Sequence, residues 1–155
     1  MTPHRRRRDE RGSALVEFSW LAIILLVPLV WVVLSVFEVQ RGAFATSAAA
    51  RAAGRAFALA PDDATGEARA RAAVAQVLAD EGTDGQRATV RFSCVPRGSS
   101  CHVGTAVVTV VVESQVSLPF SPRILGRQAA TFALDASHTV PIGQYVESAP
   151  SGDDP

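Results

Sequence analysis

The side chains able to do chemistry in this chain are few and scattered. Cys94 and Cys101 stand seven positions apart, His4, His102 and His138 are isolated from one another, acidic pairs occur at Asp62-Asp63 and Asp153-Asp154, and Glu17 stands just before an uncharged run. Two cysteines flanking a turn form a disulfide when the strands on either side of it pair. With His102 they would also offer three zinc ligands, but the spacing matches no common finger and no fourth ligand is evident. Asp62-Asp63 follows Pro61, which is the chemistry of a helix start, and Asp153-Asp154 lies in a tail rich in Pro, Ser and Asp. The chain has no G-x-S-x-G, no H-E-x-x-H, no phosphate-binding loop and no G-x-G-x-x-G. The sequence therefore predicts no catalytic centre, no metal site and no cofactor.

The elements that position these residues follow from hydropathy and charge. At 155 residues and 48% hydrophobic content the chain holds one small domain with an appendage. Fifteen basic residues, all Arg, balance fifteen acidic ones, so the basic surplus expected of a nucleic-acid-binding surface is missing. The charge is unevenly placed: residues 1–12 carry five Arg against Asp9 and Glu10, residues 13–37 carry Glu17 alone, and the remainder is mildly acidic. Phe18 to Phe37 reads FSWLAIILLVPLVWVVLSVF, twenty residues without a charge. A helix of that length spans about 30 Å, the thickness of a bilayer core. Pro28 lies mid-span and removes one backbone donor, and Ser19 and Ser35 are placed to bond to their preceding turns. Arg5 to Arg8 and Arg11 precede the span, so the positive-inside bias puts the N-terminus in the cytoplasm and everything after residue 38 outside.

The junction RGSALVEF carries the sharpest signal. Glu17 stands five residues after Gly12 and one before the apolar run, where an inert anchor has no use for a carboxylate. A basic leader, a Gly, a Glu five residues on and a long apolar span resemble the type IV pilin and pseudopilin superfamily. The G-S-A-L-V-E-F junction, the Pro within the span and the Ala- and Arg-rich continuation resemble more closely the TadE-like pseudopilins of the tight-adherence pilus, over residues 10–60. The resemblance implies cleavage by a prepilin peptidase between Gly12 and Ser13, and partners among other pilins, pseudopilins and the pilus assembly machinery. It also implies that Glu17 pairs with the new N-terminus of a neighbouring subunit. Physical chemistry fits that role: a freed Ser13 amine, ordinarily titrating at about 7.7 to 8.0, would lie one helical turn from Glu17, and the helix macrodipole favours an anion there. A plain interfacial acid is the alternative for Glu17. For the chain as a whole the rival is a signal-anchored or secreted binding domain, with Ala43-Phe44-Ala45 as an A-x-A-like cleavage site.

After the span, residues 43–60 hold ten Ala in eighteen positions and are expected to extend the helix outward. Arg51 and Arg55 share a face of it, either solvated or in contact with a subunit. Pro61-Asp62-Asp63 ends this helix and caps a second over residues 63–81, its apolar face drawn from Ala68, Ala72, Ala75, Leu78 and Ala79. Glu81 to Gly85 stops it. The period then becomes two: Ala88, Val90, Phe92 and Cys94 alternate with polar residues, a turn follows at Pro96 to Ser100, and Thr105 to Ser117 is a Val-rich strand. A loop at residues 119–126 leads to a third strand over 128–140, with Ala130, Phe132, Leu134 and Ala136 on one face. Residues 143–147 offer a fourth strand, and 148–155 form a disordered tail. The expected architecture is α+β: a cytoplasmic leader (1–12), a single-pass helix continued outside (13–60), a small exported domain (61–147) holding a Cys94–Cys101 disulfide, and the tail.

Overall fold

A computed structural model describes residues 11–82, 87–96, 100–118 and 131–143, with the side chains of residues 11–13 excepted. Its elements run α1 (Arg11–Ala58), α2 (Asp63–Asp80), β1 (Thr89–Val95), β2 (Val107–Ser117) and β3 (Thr131–Pro141). The class is α+β, with a long apolar N-terminal helix, a second helix and a three-stranded antiparallel sheet. The expected leader (residues 1–10), the turn at 83–86, the loop at 119–126 and the tail lie outside the described residues, as do most of the proposed fourth strand, 144–147, and Ala130. Among the described residues the sheet has three strands in the order β1-β2-β3.

α1 is one continuous helix of 48 residues with Pro28 inside it, about 72 Å long. Its two halves have different fates. Leu15 to Phe37 carries a nearly unbroken row of exposed large apolar side chains, and α1 is long and apolar enough to cross a membrane. Burial begins at Gly42, and from there Ala45, Thr46, Ala49, Ala50, Ala53 and Phe57 all turn inward. The Ala richness thus does more than favour helix: it lets the backbone of α1 lie close against neighbouring elements. Gly42 and Gly54 mark the closest approaches. A Cβ on Gly42 would come 2.3 Å from Val116 Cγ2, and one on Gly54 would come 2.9 Å from Val140 Cγ2.

α2 starts where the sequence placed its cap. The Asp62 carboxylate accepts the Thr65 amide and the Thr65 hydroxyl, both at 2.8 Å, satisfying one of the orphan donors of a helix start. Its end is fastened to α1, because the Arg41 guanidinium donates to the Glu81 carbonyl beside Gly82, whose φ of +65° is the left-handed conformation glycine accepts freely. The inward face differs from the expected one: Gly66, Ala70, Val74 and Leu78 are buried, whereas Ala68, Ala72, Ala75 and Ala79 are exposed. Alanine lies on both sides of this helix, so hydropathy does not mark the face. Close packing does, since a Cβ on Gly66 would stand 3.1 Å from both Phe57 and His102.

The sheet pairs Cys94 with Val108 and Val95 with Val107 across β1 and β2, and Val112 with Ala136 across β2 and β3. Val108, Val110, Val112, Ser114 and Val116 of the central strand point into the core, as period-two alternation requires. Leu134 and Ala136 lie on the inward face of β3 as expected, joined by His138 and Val140, but Phe132 is half exposed near the strand's end. A buried polar contact between helix and sheet is satisfied among its own members: the Thr46 and Ser114 hydroxyls are 2.7 Å apart, and Thr46 also donates to the Gly42 carbonyl at 2.7 Å.

Candidate functional site

Most of the described residues singled out by their chemistry fall into two separate places. The first is the exposed half of α1. Gly12 and Ser13 lie in its first turn by backbone, and Glu17 follows as an exposed residue at the head of the apolar run. The helix passes through Pro28 without interruption. Ser19 donates to the Leu15 carbonyl and Ser35 to the Trp31 carbonyl, each at 2.8 Å, so both hydroxyls are satisfied within the helix, as an apolar medium demands. Arg51 and Arg55, on the packed half, are exposed, and Arg51 donates to the Ser47 hydroxyl at 2.9 Å.

The second place is the corner where α1 gives way to α2, against which the loop between β1 and β2 is fastened. The sulfurs of Cys94 and Cys101 stand at disulfide distance, with their Cα atoms 5.6 Å apart, because β1 and β2 pair at Cys94 and bring the far side of the loop back to it. Asp63, the first residue of α2, turns its carboxylate away from its own helix: Oδ2 accepts the Cys101 amide at 2.8 Å, and Oδ1 accepts the His102 amide at 3.1 Å. His102 is 7% exposed. Its Nδ1 lies 2.5 Å from Asp63 Oδ1 and its Nε2 lies 3.0 Å from the Phe57 carbonyl oxygen. The ring stacks on Phe57 with centroids 4.8 Å apart, and Phe57 stacks in turn on Phe92 at 5.2 Å.

Burial pushes the Asp63 carboxyl up, but hydrogen bonds from His102, the Cys101 amide and Ser100 outweigh it and hold the group below the usual carboxylate range. Asp62 is also held low, by the Thr65 amide and then by the Thr65 hydroxyl.

A carboxylate on one imidazole nitrogen is the orienting half of an acid–base triad. Here the other nitrogen faces a backbone carbonyl rather than a nucleophile, and the ring is walled in, so the arrangement fastens rather than reacts. Sequence reasoning treated His102 as an isolated residue and Asp63 as a capping acid. Only Asp62 caps α2; Asp63 joins a residue 39 positions away. The adjacency of His102 to Cys101 was the one local signal, and nothing in the sequence linked it to Asp63. His138 lies on the inward face of β3 beside Gly54. Among the described residues no group of three His, Cys, Asp or Glu side chains is placed to hold a metal ion.

A groove of about 510 Å³ runs between α2 and β1, lined by Val74, Leu78, Ala88 and Val90 with Arg71 at its rim. Arg71 is engaged there, paired with Glu67 at 2.7 Å and lying over the Phe92 ring. Comparison with models of protein families, with curated proteins and with solved structures finds no match.

Proposed function

We propose that this protein is a pseudopilin, or minor pilin, of a tight-adherence-type pilus system. It is cleaved between Gly12 and Ser13, held in the cytoplasmic membrane through residues 18–37 with its C-terminal domain outside, and packed into an assembly through its apolar helix under the guidance of Glu17. The observation that carries this reading is the division of α1: an exposed apolar rod headed by Glu17 continues without a break into a helix half that is the spine of a packed domain. A mere tether needs a flexible joint. An assembling subunit gains from a rigid one, because the packing of rods then fixes the position of every head.

The same geometry weighs against a secreted module released after Ala45. Ala45 and Thr46 are fully buried, and Thr46 bonds both to Gly42 and to Ser114, so a cut there would sever the core helix inside its packed half. N-terminal sequencing of the chain from membranes of a host with an active prepilin peptidase tests the proposal. Ser13 as the first residue supports it, Met1 would make the protein an uncleaved anchor, and Thr46 would make it a secreted domain. In the same host Glu17→Ala is expected to insert normally and to be lost from assembled fibres; incorporation equal to that of the unaltered chain would refute the pairing role.

A further inference from the structure

We infer that the base of the exported domain is a lipid-contact surface: Arg41, Leu118 and Phe132 rest on the headgroup layer of the bilayer that α1 crosses, and the disulfide corner points away from the membrane. This contact presupposes the membrane placement proposed above and specifies the face of the domain that lipid meets. α1 fixes that face, because the helix runs unbroken from the apolar run into the packed half. Phe37 closes the run, and Gly42, the first buried residue, follows about 7 Å further along the axis. Headgroups add about 5 to 7 Å to each face of a hydrocarbon core of about 30 Å. Packing therefore starts at the outer limit of the headgroup layer. Pro28 lies inside the span, so a bend there moves the domain and the end of the span together, and the continuous helix beyond it leaves no slack by which the domain could stand clear of the lipid.

The packing contacts show which parts of the domain reach this level. Val116 lies against Gly42, the Ser114 hydroxyl meets Thr46 one helical turn further on, and His138 and Val140 lie against Gly54. β2 and β3 thus run along α1, covering about 6.6 Å for every two residues where the helix covers about 6 Å for every four. Val116 pairs with Phe132 and Ser117 with Thr131, so Phe132 is level with Gly42, while Ser117, Leu118 and Thr131 lie nearer the span, alongside residues 38–41. α2 returns to the same level: Gly66 lies against Phe57 and Gly82 against Arg41, a length of about 24 Å on either helix. At this rim Phe132 is half exposed and Leu118 partly so, and such side chains bury favourably at the boundary between headgroups and acyl chains. Arg41 is exposed, and its guanidinium donates to the Glu81 carbonyl, leaving other N–H groups of its fork for lipid phosphate. Glu38, Asp80 and Glu81 are exposed at the same level, so the base carries no cationic surplus. Its position follows from the helix rather than from attraction to anionic lipid.

The test places the full, isotope-labelled chain in phosphatidylcholine nanodiscs and compares amide relaxation by NMR with a nitroxide on the lipid headgroup, with a nitroxide near the end of the acyl chains, and without either. The headgroup label is expected to broaden the amides of Leu118 and Phe132 at least about tenfold more than those of Gly66 and His102, which stand roughly 22 Å farther out. The acyl-chain label should broaden Leu26 and Val30 and spare all four. If Leu26 and Val30 respond but Leu118 and Phe132 respond no more than Gly66 and His102, the lipid contact is refuted and the span stands. If Leu26 and Val30 do not respond, the span itself is refuted, and the contact with it. For Arg41 the readout is dipolar dephasing of its guanidinium carbon by lipid phosphorus, a signal expected in the unaltered chain and lost in Arg41→Gln; an arginine spectrum that this variant leaves unchanged would remove Arg41 from the surface.

Discussion

Replacing Phe57 by Ala should remove more stability than any other single truncation in the helix spine. Phe57 is 1% exposed, stacks on Phe92 of β1 and on His102, and presses against Gly66 of α2; it therefore touches α2, the sheet and the loop at once. Truncating a buried Phe costs about 3 to 5 kcal/mol from lost transfer energy and the cavity left behind. The upper part of that range applies here, because the cavity would be walled by a stacked ring, a helix backbone and a disulfide loop that cannot collapse together. Against a total stability of roughly 5 to 15 kcal/mol for a domain this small, the loss is severe. Both tryptophans, Trp20 and Trp31, lie in the apolar half of α1, so their fluorescence reports poorly on the head. Amide exchange at Val110 and Val112 in the central strand is the appropriate readout, and their protection should fall by a factor of roughly a hundred or more at 1.4 kcal/mol per decade. Phe44→Ala is the matched control on the same helix: at 75% exposure it should change protection less than about threefold. If the two variants lose equal protection, or Phe57→Ala loses less than tenfold, the packing account of the α1–α2 corner is wrong.

Three further outcomes follow from the same contacts. Gly42→Ala, which in an exposed helix would stabilise by about 1 kcal/mol, should instead destabilise, because its methyl meets the stiff Val116 side chain and overpacking of this kind costs roughly 1 to 3 kcal/mol; urea titration followed by circular dichroism gives the sign. Replacing Cys94 and Cys101 by Ala removes a closed loop with a separation of seven residues, worth about 2.4 kcal/mol on the chain-entropy scale, and should lower the urea midpoint without changing the slope. Asp63 supplies an acid-side dependence. Its carboxyl titrates below the ordinary 3.8 in the folded chain, so the stability it contributes is whole above that value and is lost as pH falls through the lower folded value; Asp63→Asn should flatten the unfolding profile in that acid window.

Some of this molecule is written locally. An uncharged run of twenty residues, a basic tip, and Glu17 in register with Gly12 are properties of contiguous residues, so the apolar helix was legible without a fold. So were the Asp62 cap, the Val-rich central strand and the nearness of Cys94 to Cys101, because each depends on spacing within one element or across one turn. Tertiary structure decided what distant residues do. Alanine lies on every side of α2, so only the small space beside Phe57 and His102 selected Gly66, Ala70, Val74 and Leu78 as its buried face. Likewise the union of Asp63 with His102 arises because the turn at residues 59–62 and the loop closed by the disulfide deliver a carboxylate and an imidazole to one corner. Sequence patterning reports the face of an element only where its residues differ in hydropathy, as along β2; which elements meet, and which donors and acceptors then face one another, is a property of the packed chain alone.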